Sequence, residues 1–222
     1  TYYVRSNGEN HKASMPSNQV AVNITTNVAI NAPSNIEATY INTNEDAVTL
    51  AWDAPAPRTE TLCYVTSRSG YSGTGSEFTA AQKYPSSMLQ PYAGMQIEHI
   101  YFSLKSSGSS CTINLYEGDE MMPGTSIFEG SYTSTEATQL VDYTLSHPIA
   151  INPNKDLWIT ITTSDKVALD DYDEENGNTL LYKYSEHGIW FINYGIAWSF
   201  QLGLSDMDYT YNVYRNDVAI SS

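Results

Sequence analysis

Residues 156–162 read DLWITIT, and this stretch indicates the fold class of the chain. The apolar side chains of Leu157, Ile159 and Ile161 alternate with Trp158 and two threonines. Successive side chains of a β-strand point to opposite faces, so the alternation predicts a strand with one buried face. Similar short runs, separated by turn-forming residues, occupy residues 20–24, 48–52, 100–105, 111–116, 189–194, 198–204 and 209–214. Since no window has sustained helical periodicity, the sequence predicts an all-β protein built as a sandwich or barrel.

Length and charge narrow the class further. The 222 residues have room for one large or two small domains. The formal net charge is -15, from 25 acidic and 10 basic residues. A nucleic acid or an anionic membrane surface would repel such a chain, and no apolar run approaches the roughly 20 residues of a membrane span. We therefore expect neither nucleic-acid binding nor membrane insertion, and any export signal lies outside this sequence.

The two cysteines leave two interpretations open. Cys63 and Cys111 could form a disulfide bond in an oxidising compartment. Alternatively, Cys111 shares its alternation phase with Ile113 and Leu115, which suits a small buried hydrophobic residue.

No motif for catalysis stands out. The histidines have neither metal-ligand nor triad spacing, and they are His11, His99, His147 and His187. Nucleophile-elbow, phosphate-loop and zinc-protease motifs do not occur either. We predict that the chain is not an enzyme.

One acidic segment is a candidate calcium site. Residues 170–178 read DDYDEENGN and concentrate the hard oxygen ligands that Ca²⁺ requires, with Asp170, Asp171, Asp173 and Glu175 as candidate ligands. The glycine falls one position late for an EF-hand loop, so a solvated, charged loop is the alternative. Two adjacent loop carboxylates are also poorly placed for glycosidase chemistry. Calcium is the one cofactor that the sequence suggests.

Aromatic residues are the candidate ligand-binding groups. The chain has 18 tyrosines and 4 tryptophans, whose rings suit sugars or peptide side chains when exposed. Trp158 points away from the apolar face of its strand, and Trp190 and Tyr194 share a phase. We list Trp158, Trp190 and Tyr194 as candidates. The alternative is that the tryptophans cover a sandwich edge or pack under a loop.

The two ends of the chain resemble pieces of a fibronectin type III domain. Residues 33–38 (PSNIEA) and 47–55 (AVTLAWDAP) resemble its first two strands, including the tryptophan that the family buries. Residues 209–217 (YTYNVYRND) resemble its third strand. The resemblance implies that residues 33–57 begin such a unit, that 59–207 are inserted into it, and that 208–222 continue it, with the ends of the insert close together.

The N-terminus is similar to the last two strands of the same family. The matching segments are residues 2–6 (YYVRS) and 17–24 (SNQVAVNI), so residues 1–26 are interpreted as terminal strands of a fibronectin type III-like unit. They either finish a preceding truncated unit, or the parent protein is a tandem array cut out of phase. Both explanations imply a longer parent protein.

An interrupted frame of this kind resembles the adhesin regions of gingipain-type proteases and haemagglutinins of Bacteroidetes. The insert lacks the aspartate-rich calcium signature of those adhesins. It resembles instead a β-sandwich module of secreted bacterial peptidases and surface proteins, through residues 84–89 (YPSSML), 92–95 (YAGM), 111–118 (CTINLYEG) and 156–159 (DLWI). The implied fold is a jelly-roll-like β-sandwich inserted into a fibronectin type III-like sandwich.

The resemblance implies a non-catalytic adhesion or structural module of a larger bacterial cell-surface or secreted protein. A carbohydrate-binding module and an accessory domain of a secreted peptidase are the alternatives. The expected location is extracellular or at the cell surface. The expected partners are a host or matrix protein, a glycan, or neighbouring repeats of the same protein.

Overall fold

A computed structural model describes residues 2–4, 18–20, 34–42, 47–53, 57–73, 75–118, 123–173, 179–184, 189–207, 213–215 and 218–221. The chain divides into two compact units. Unit 1 comprises Thr1–Pro57 and Asp208–Ser222, and unit 2 comprises Arg58–Met207. Nearly all regular structure in the described residues is β-strand, which confirms the predicted fold class.

The strands are, in chain order, β1 (Tyr2–Val4), β2 (Asn18–Val20), β3 (Ser34–Asn42), β4 (Ala47–Asp53), β5 (Thr59–Cys63), β6 (Gly70–Ser72), β7 (Phe78–Tyr84), β8 (Met95–Phe102), β9 (Ser110–Gly118), β10 (Thr125–Thr133), β11 (Val141–Ala150), β12 (Asp156–Thr163), β13 (Val167–Asp171), β14 (Leu181–Tyr184), β15 (Trp190–Ile192), β16 (Ile196–Trp198), β17 (Gln201–Asp206), β18 (Val213–Arg215) and β19 (Val218–Ser221). A single helical turn, α1 (Ser86–Leu89), and a 3-10 turn (Gln90–Tyr92) connect β7 to β8. No described helix is long and apolar enough to cross a membrane.

The described residues of unit 1 form three two-stranded antiparallel pairs. They are β1 with β2, β3 with β4, and β18 with β19. Strand β18 also lies next to β2. Trp52, in β4, is half-buried. The assignment of these pairs to fibronectin type III-like units stays a prediction.

Unit 2 is built mainly from two antiparallel sheets. The six-stranded sheet has the order β10-β9-β12-β7-β14-β15, and the four-stranded sheet has the order β11-β8-β17-β5. A three-stranded sheet, β16-β13-β6, accompanies them. Strand β12 lies between β9 and β7, where Ile159 pairs with Leu115 on one side and with Gln82 on the other.

The core joins the inner faces of the two larger sheets. Leu157, Ile159 and Ile161 of the six-stranded sheet belong to one buried cluster with Ile100 and Leu202 of the four-stranded sheet. Alternation in residues 156–162 therefore predicted the inward face of β12 correctly. Two sheets that share one apolar core form a β-sandwich.

The first and last strands of unit 2 are neighbours. Strand β17 pairs with β5 so that Ser205 lies opposite Thr59. The backbone N–H of Arg58 donates to Asp206 Oδ2 at 2.8 Å, and the N–H of Asp206 donates to the Arg58 carbonyl at 3.0 Å. The chain therefore enters and leaves unit 2 at one place.

A buried tyrosine links the two sheets through polar atoms. Tyr84 is fully buried, and its hydroxyl donates to the Phe200 carbonyl at 3.0 Å. The amide of Gln82, also fully buried, donates to the same hydroxyl at 2.8 Å. Burial, then the neighbouring Tyr64 and Cys63, raises the pKa of Tyr84 well above its ordinary value, so the phenol stays protonated and able to donate.

Replacing Tyr84 by phenylalanine tests this link. The substitution Tyr84→Phe keeps the ring but removes the short hydrogen bonds of the Phe200 carbonyl and the Gln82 amide, which then keep only their long contact of 3.5 Å with each other. Leaving buried polar groups unpaired costs about 1–3 kcal/mol, so we expect a loss of that size in the free energy of unfolding by urea. The control Tyr194→Phe changes a tyrosine that is 57% exposed and should stay within about 0.5 kcal/mol. Equal effects of the two substitutions would contradict a structural role for the Tyr84 hydroxyl.

Candidate ligand-binding groove

Trp158 does not present its ring to solvent. Its exposed fraction is 1%, and it forms a small buried cluster with Ala81 and Leu181, against which Tyr116 and Trp190 pack. The expectation of an exposed aromatic platform at Trp158 is therefore wrong. Alternation correctly put Trp158 on the opposite face from Ile159, but that outer face of the six-stranded sheet is itself covered by large side chains.

The other two predicted aromatic residues lie at the edge of the same sheet. Trp190, in β15, is half-buried against the Trp158 cluster. Tyr194 follows β15 and is 57% exposed. Of the three candidates, only Tyr194 presents most of its side chain to solvent.

The predicted acidic loop begins as a strand. Asp170 and Asp171 are the last residues of β13, which corrects the loop assignment for these two positions. Asp170 accepts hydrogen bonds from the Ser67 hydroxyl and from the backbone N–H of Asp171. Asp171 and Asp173 are exposed, and Glu175 lies outside the described residues.

The contacts of Asp170 stabilise its ionised carboxylate within the fold. The Ser67 hydroxyl, then that of Ser69 and the Asp171 N–H, lowers the pKa of Asp170 below its ordinary value. The Ser69 N–H also donates to the Leu169 carbonyl at 3.1 Å, so hydrogen bonds to β13 fix the position of residues 67–69, which precede β6. Within the part of the chain that the structure describes, no three His, Cys, Asp or Glu side chains gather as a metal site requires. Calcium binding stays a prediction.

The two cysteines are separate free thiols. Cys63 ends β5 in the four-stranded sheet, and Cys111 lies in β9 of the six-stranded sheet. The disulfide interpretation is therefore wrong for this structure, and the interpretation of Cys111 as a buried apolar residue agrees with its 5% exposure. Burial raises the pKa of both thiols, that of Cys111 to about 12.

A groove of about 490 Å³ opens on the outer face of the four-stranded sheet. It is lined by parts of β5, β8 and β17, namely Thr59, Glu60, Thr61, Glu98, His99, Tyr101, Gly203 and Leu204. A bulge in β8 shapes it, because Gly203 pairs with His99 whereas Leu204 pairs with Ile97. The extra residue, Glu98, and His99 are both partly exposed between the fully buried Ile97 and Ile100.

Two rings lie beside each other in the groove. The rings of His99 and Tyr101 are nearly parallel, with an interplanar angle of 8° and centroids 6.0 Å apart. Gly203 makes this arrangement possible. A Cβ atom at position 203 would lie 2.9 Å from His99 Cβ and 3.0 Å from Tyr101 Cε2, which is closer than real Cβ atoms approach their neighbours. The glycine therefore serves close packing of side chains over the backbone.

Strand β11 orients the imidazole. Asp142 Oδ1 lies 2.6 Å from His99 Nδ1, and Thr144 Oγ1 lies 3.4 Å from the same nitrogen. In a catalytic triad the acid and the nucleophile occupy opposite nitrogens of the histidine, so Thr144 is not placed as a nucleophile. Asp142 instead fixes the ring plane beside Tyr101.

Polar groups border the two rings. Gln96 Nε2 donates to Glu98 Oε1 at 3.1 Å and lies 3.5 Å from Ser205 Oγ. Burial, and secondarily the charge of Asp142, raises the pKa of the Tyr101 phenol, so its hydroxyl remains a donor. The groove thus combines aromatic faces with carboxylate, amide and hydroxyl groups, the combination that holds a small polar ligand.

Sequence reasoning missed this groove. It treated His99 as an isolated histidine and did not consider Tyr101. One available signal was Gly203, a lone glycine inside the apolar alternation of Trp198, Phe200, Leu202 and Leu204. Such a glycine indicates that another group approaches the strand closely.

Comparison with known proteins shows no family for the chain. No protein-family model matches the chain, and no curated protein matches it. The similar solved structures include the cysteine protease and lectin-like domains of Cwp84, a surface layer associated protein of Clostridium difficile. The identity is 12% and the TM-score 0.46, over 74% of this chain and 40% of that one.

Two further matches are of similar or lower quality. Cwp84 after propeptide cleavage has 12% identity and a TM-score of 0.48, over 74% of this chain and 45% of that one. The VP2 subviral particle of infectious bursal disease virus has 13% identity and a TM-score of 0.27, over 75% and 37%. The chain thus spans less than half of each of these proteins. Similarities of this size assign no function.

Thiol titration tests the state of the cysteines. In denaturant without reductant, Ellman's reagent should detect two thiols per chain. In the folded protein the half-buried Cys63 should react first and Cys111 much more slowly, because the thiolate is the reacting species and burial suppresses it. Absence of free thiols in the unfolded, unreduced chain would restore the disulfide interpretation.

The Ser67 contact predicts a pH-dependent effect. The pKa of Asp170 lies below its unfolded value of 3.8, so the ionised carboxylate stabilises the fold above that pH, and the contribution disappears as the pH falls through the folded-state pKa. Ser67→Ala should therefore lower the free energy of unfolding at pH 7, and the difference should shrink below about pH 4.

Urea unfolding at several pH values measures this difference. The control Ser131→Ala removes an exposed hydroxyl from β10 and should show no such pH dependence. A Ser67→Ala effect that is constant from pH 7 to pH 3 would contradict the link to Asp170.

Proposed function

We propose that unit 2 is a non-catalytic glycan-binding module, through which a larger extracellular or cell-surface protein adheres to its target. The observation that carries the proposal is the pair of parallel rings, His99 and Tyr101, in an open groove where the Tyr101 ring lies over Gly203. The groove lies on a sheet face, where rigid strands hold its side chains.

The chemistry of the groove matches that of a sugar. A pyranose ring has an apolar C–H face that stacks on aromatic side chains and an edge of hydroxyls that needs donors and acceptors. Tyr101 supplies the ring face, and Glu98 and Thr61 supply polar groups of the lining, with Glu98 held by a hydrogen bond from Gln96. The volume of about 490 Å³ lies in the usual range of small-ligand sites, roughly 300–1,000 Å³.

The rings are held in place before any ligand arrives. The contact of 2.6 Å between Asp142 Oδ1 and His99 Nδ1 positions the imidazole. Because Gly203 has no side chain, His99 and Tyr101 can pack closely against its backbone. A preordered site loses less conformational entropy on binding, which favours recognition of weakly apolar ligands such as sugars.

The adjacent chain ends of unit 2 suit an adhesive module within a larger protein. Because β5 and β17 are neighbours, a host unit can present unit 2 through two adjacent crossings of the chain. Expected ligands are therefore glycans of a cell surface or a matrix.

A glycan array followed by calorimetry tests the proposal. The whole chain should bind at least one glycan, and Tyr101→Ala should weaken that binding about tenfold or more, because aromatic contacts contribute roughly 1 kcal/mol beyond the buried area and about 1.4 kcal/mol corresponds to tenfold. Gly203→Val should weaken it similarly by displacing the rings. The matched control Tyr116→Ala removes an aromatic ring from the opposite sheet and should leave the affinity unchanged.

Three results would contradict the proposal. The first is failure to bind any glycan on the array while the chain is folded by circular dichroism. The second is unchanged affinity in both Tyr101→Ala and Gly203→Val, which would move the ligand away from the groove. Release of reducing sugar from the bound glycan would overturn the non-catalytic part.

A further inference from the structure

Strand β15 lies at the edge of the six-stranded sheet, whereas the groove lies on the four-stranded sheet. Strand β15 pairs with β14 on one side, and the sheet order ends with it. A strand at the end of a sheet has one row of backbone groups without a neighbouring strand. The surface around β15 is independent of the proposed glycan groove.

The register shows which backbone groups face outward. The N–H of Asn193 donates to the Leu180 carbonyl at 3.0 Å, so these two residues form a hydrogen-bonded pair between the neighbouring segments. In an antiparallel ladder such pairs alternate with non-hydrogen-bonded ones. Phe191 therefore also bonds toward β14, whereas Trp190 and Ile192 direct their N–H and C=O groups away from β14, to an edge at which no strand of the described residues pairs with β15.

Large apolar side chains concentrate at this edge. Among the described residues six large hydrophobic side chains are exposed, and four of them lie between positions 189 and 194. They are Ile189 at 63%, Phe191 at 38%, Ile192 at 40% and Tyr194 at 57%. Scattered apolar residues are normal on a protein surface, but four exposed ones within six consecutive positions, on the two faces of an edge strand and in the turn after it, indicate an interaction site.

The other edge strands of the two larger sheets carry the usual protection. Strand β10, at the opposite edge of the same sheet, contains Glu129 and several hydroxyl side chains. In the four-stranded sheet, β5 contains Glu60 between two threonines, and β11 contains Asp142 and Pro148. Charged and polar residues of this kind discourage pairing with another chain. Strand β15 reads WFI and has none of them.

Two exposed carboxylates lie near the end of β15, whereas the partly exposed Lys183 of β14 pairs with Trp190 at its start. The N–H of Tyr172 donates to the Gly195 carbonyl at 3.0 Å, and Asp171 pairs with Ile196. The exposed carboxylates of Asp171 and Asp173 therefore lie beside the turn that follows β15. This charge favours a basic partner, and it disfavours a second copy of a chain whose formal net charge is -15.

We propose that β15 binds an extended peptide segment of another polypeptide by β-strand addition, and that this segment alternates apolar with basic side chains. The outward backbone groups of Trp190 and Ile192 bind the peptide main chain. Its apolar side chains lie against Phe191, and its basic side chains lie near Asp171 and Asp173. This division between main-chain affinity and side-chain selection is typical of peptide recognition at a sheet edge.

Fluorescence anisotropy with a labelled hexapeptide of alternating lysine and valine tests the proposal. The whole chain should bind it saturably, and added salt should weaken the binding. The same peptide with alternate backbone nitrogens methylated cannot donate its edge hydrogen bonds and should bind at least about tenfold more weakly. A peptide with glutamate in place of lysine should also bind more weakly, because it meets like charges.

Two substitutions at one position separate backbone from side-chain effects. Ile192→Pro removes the outward N–H and should cost at least about tenfold in affinity, whereas Ile192→Ala keeps that N–H and should cost less. Circular dichroism checks that each variant is folded. If Ile192→Pro does not fold, the methylated peptide still decides.

Four results would contradict parts or all of this proposal. Equal binding of the methylated and parent peptides would overturn strand addition, and equal binding of the lysine and glutamate peptides would overturn the basic preference. Absence of binding to the lysine peptide would overturn the proposal as a whole. A concentration-dependent dimer in sedimentation, abolished by Ile192→Pro, would show that a second copy occupies the edge.

Discussion

Unit 2 depends on the pairing of its first strand with its last. Strand β5 closes the four-stranded sheet against β17. Two hydrogen bonds between Arg58 and Asp206, one accepted by the Asp206 carboxylate and one by the Arg58 carbonyl, hold the point where the chain enters and leaves. Closing so long a loop costs conformational entropy, which the apolar core must offset. The same pairing forms the floor of the groove, because Gly203 lies between Thr61 of β5 and His99 of β8.

The outer faces of the two larger sheets differ because of side-chain size. On the six-stranded sheet, Trp158 and Tyr116 pair across neighbouring strands, and their rings cover the outer face near its centre. On the four-stranded sheet, the corresponding outward positions include Gly203 and Thr61, which leave a depression. A ligand can enter only where large side chains leave room, so the candidate site falls on the face with the smaller residues.

Alternation was reliable for the inward face and insufficient for the outward one. Leu157, Ile159 and Ile161 are buried as predicted, and Trp198 shares their core. Trp158 was misjudged because alternation separates two faces but does not say whether the second is covered. Asp170 was misjudged because a run of carboxylates resembles a solvated loop, whereas the hydroxyl of Ser67, distant in sequence, binds it at the end of a strand.

The all-β class, the inward face of β12 and the acidic charge follow from the sequence, since they depend on neighbouring residues and on composition. The groove does not. It requires Tyr101 and His99 from β8, Gly203 from β17 and Asp142 from β11, and only the register of these strands brings them together. The exposed edge at β15 likewise depends on its place as the last strand of a sheet. Strand order and register arise from long-range packing, so local patterns in one sequence do not reveal them.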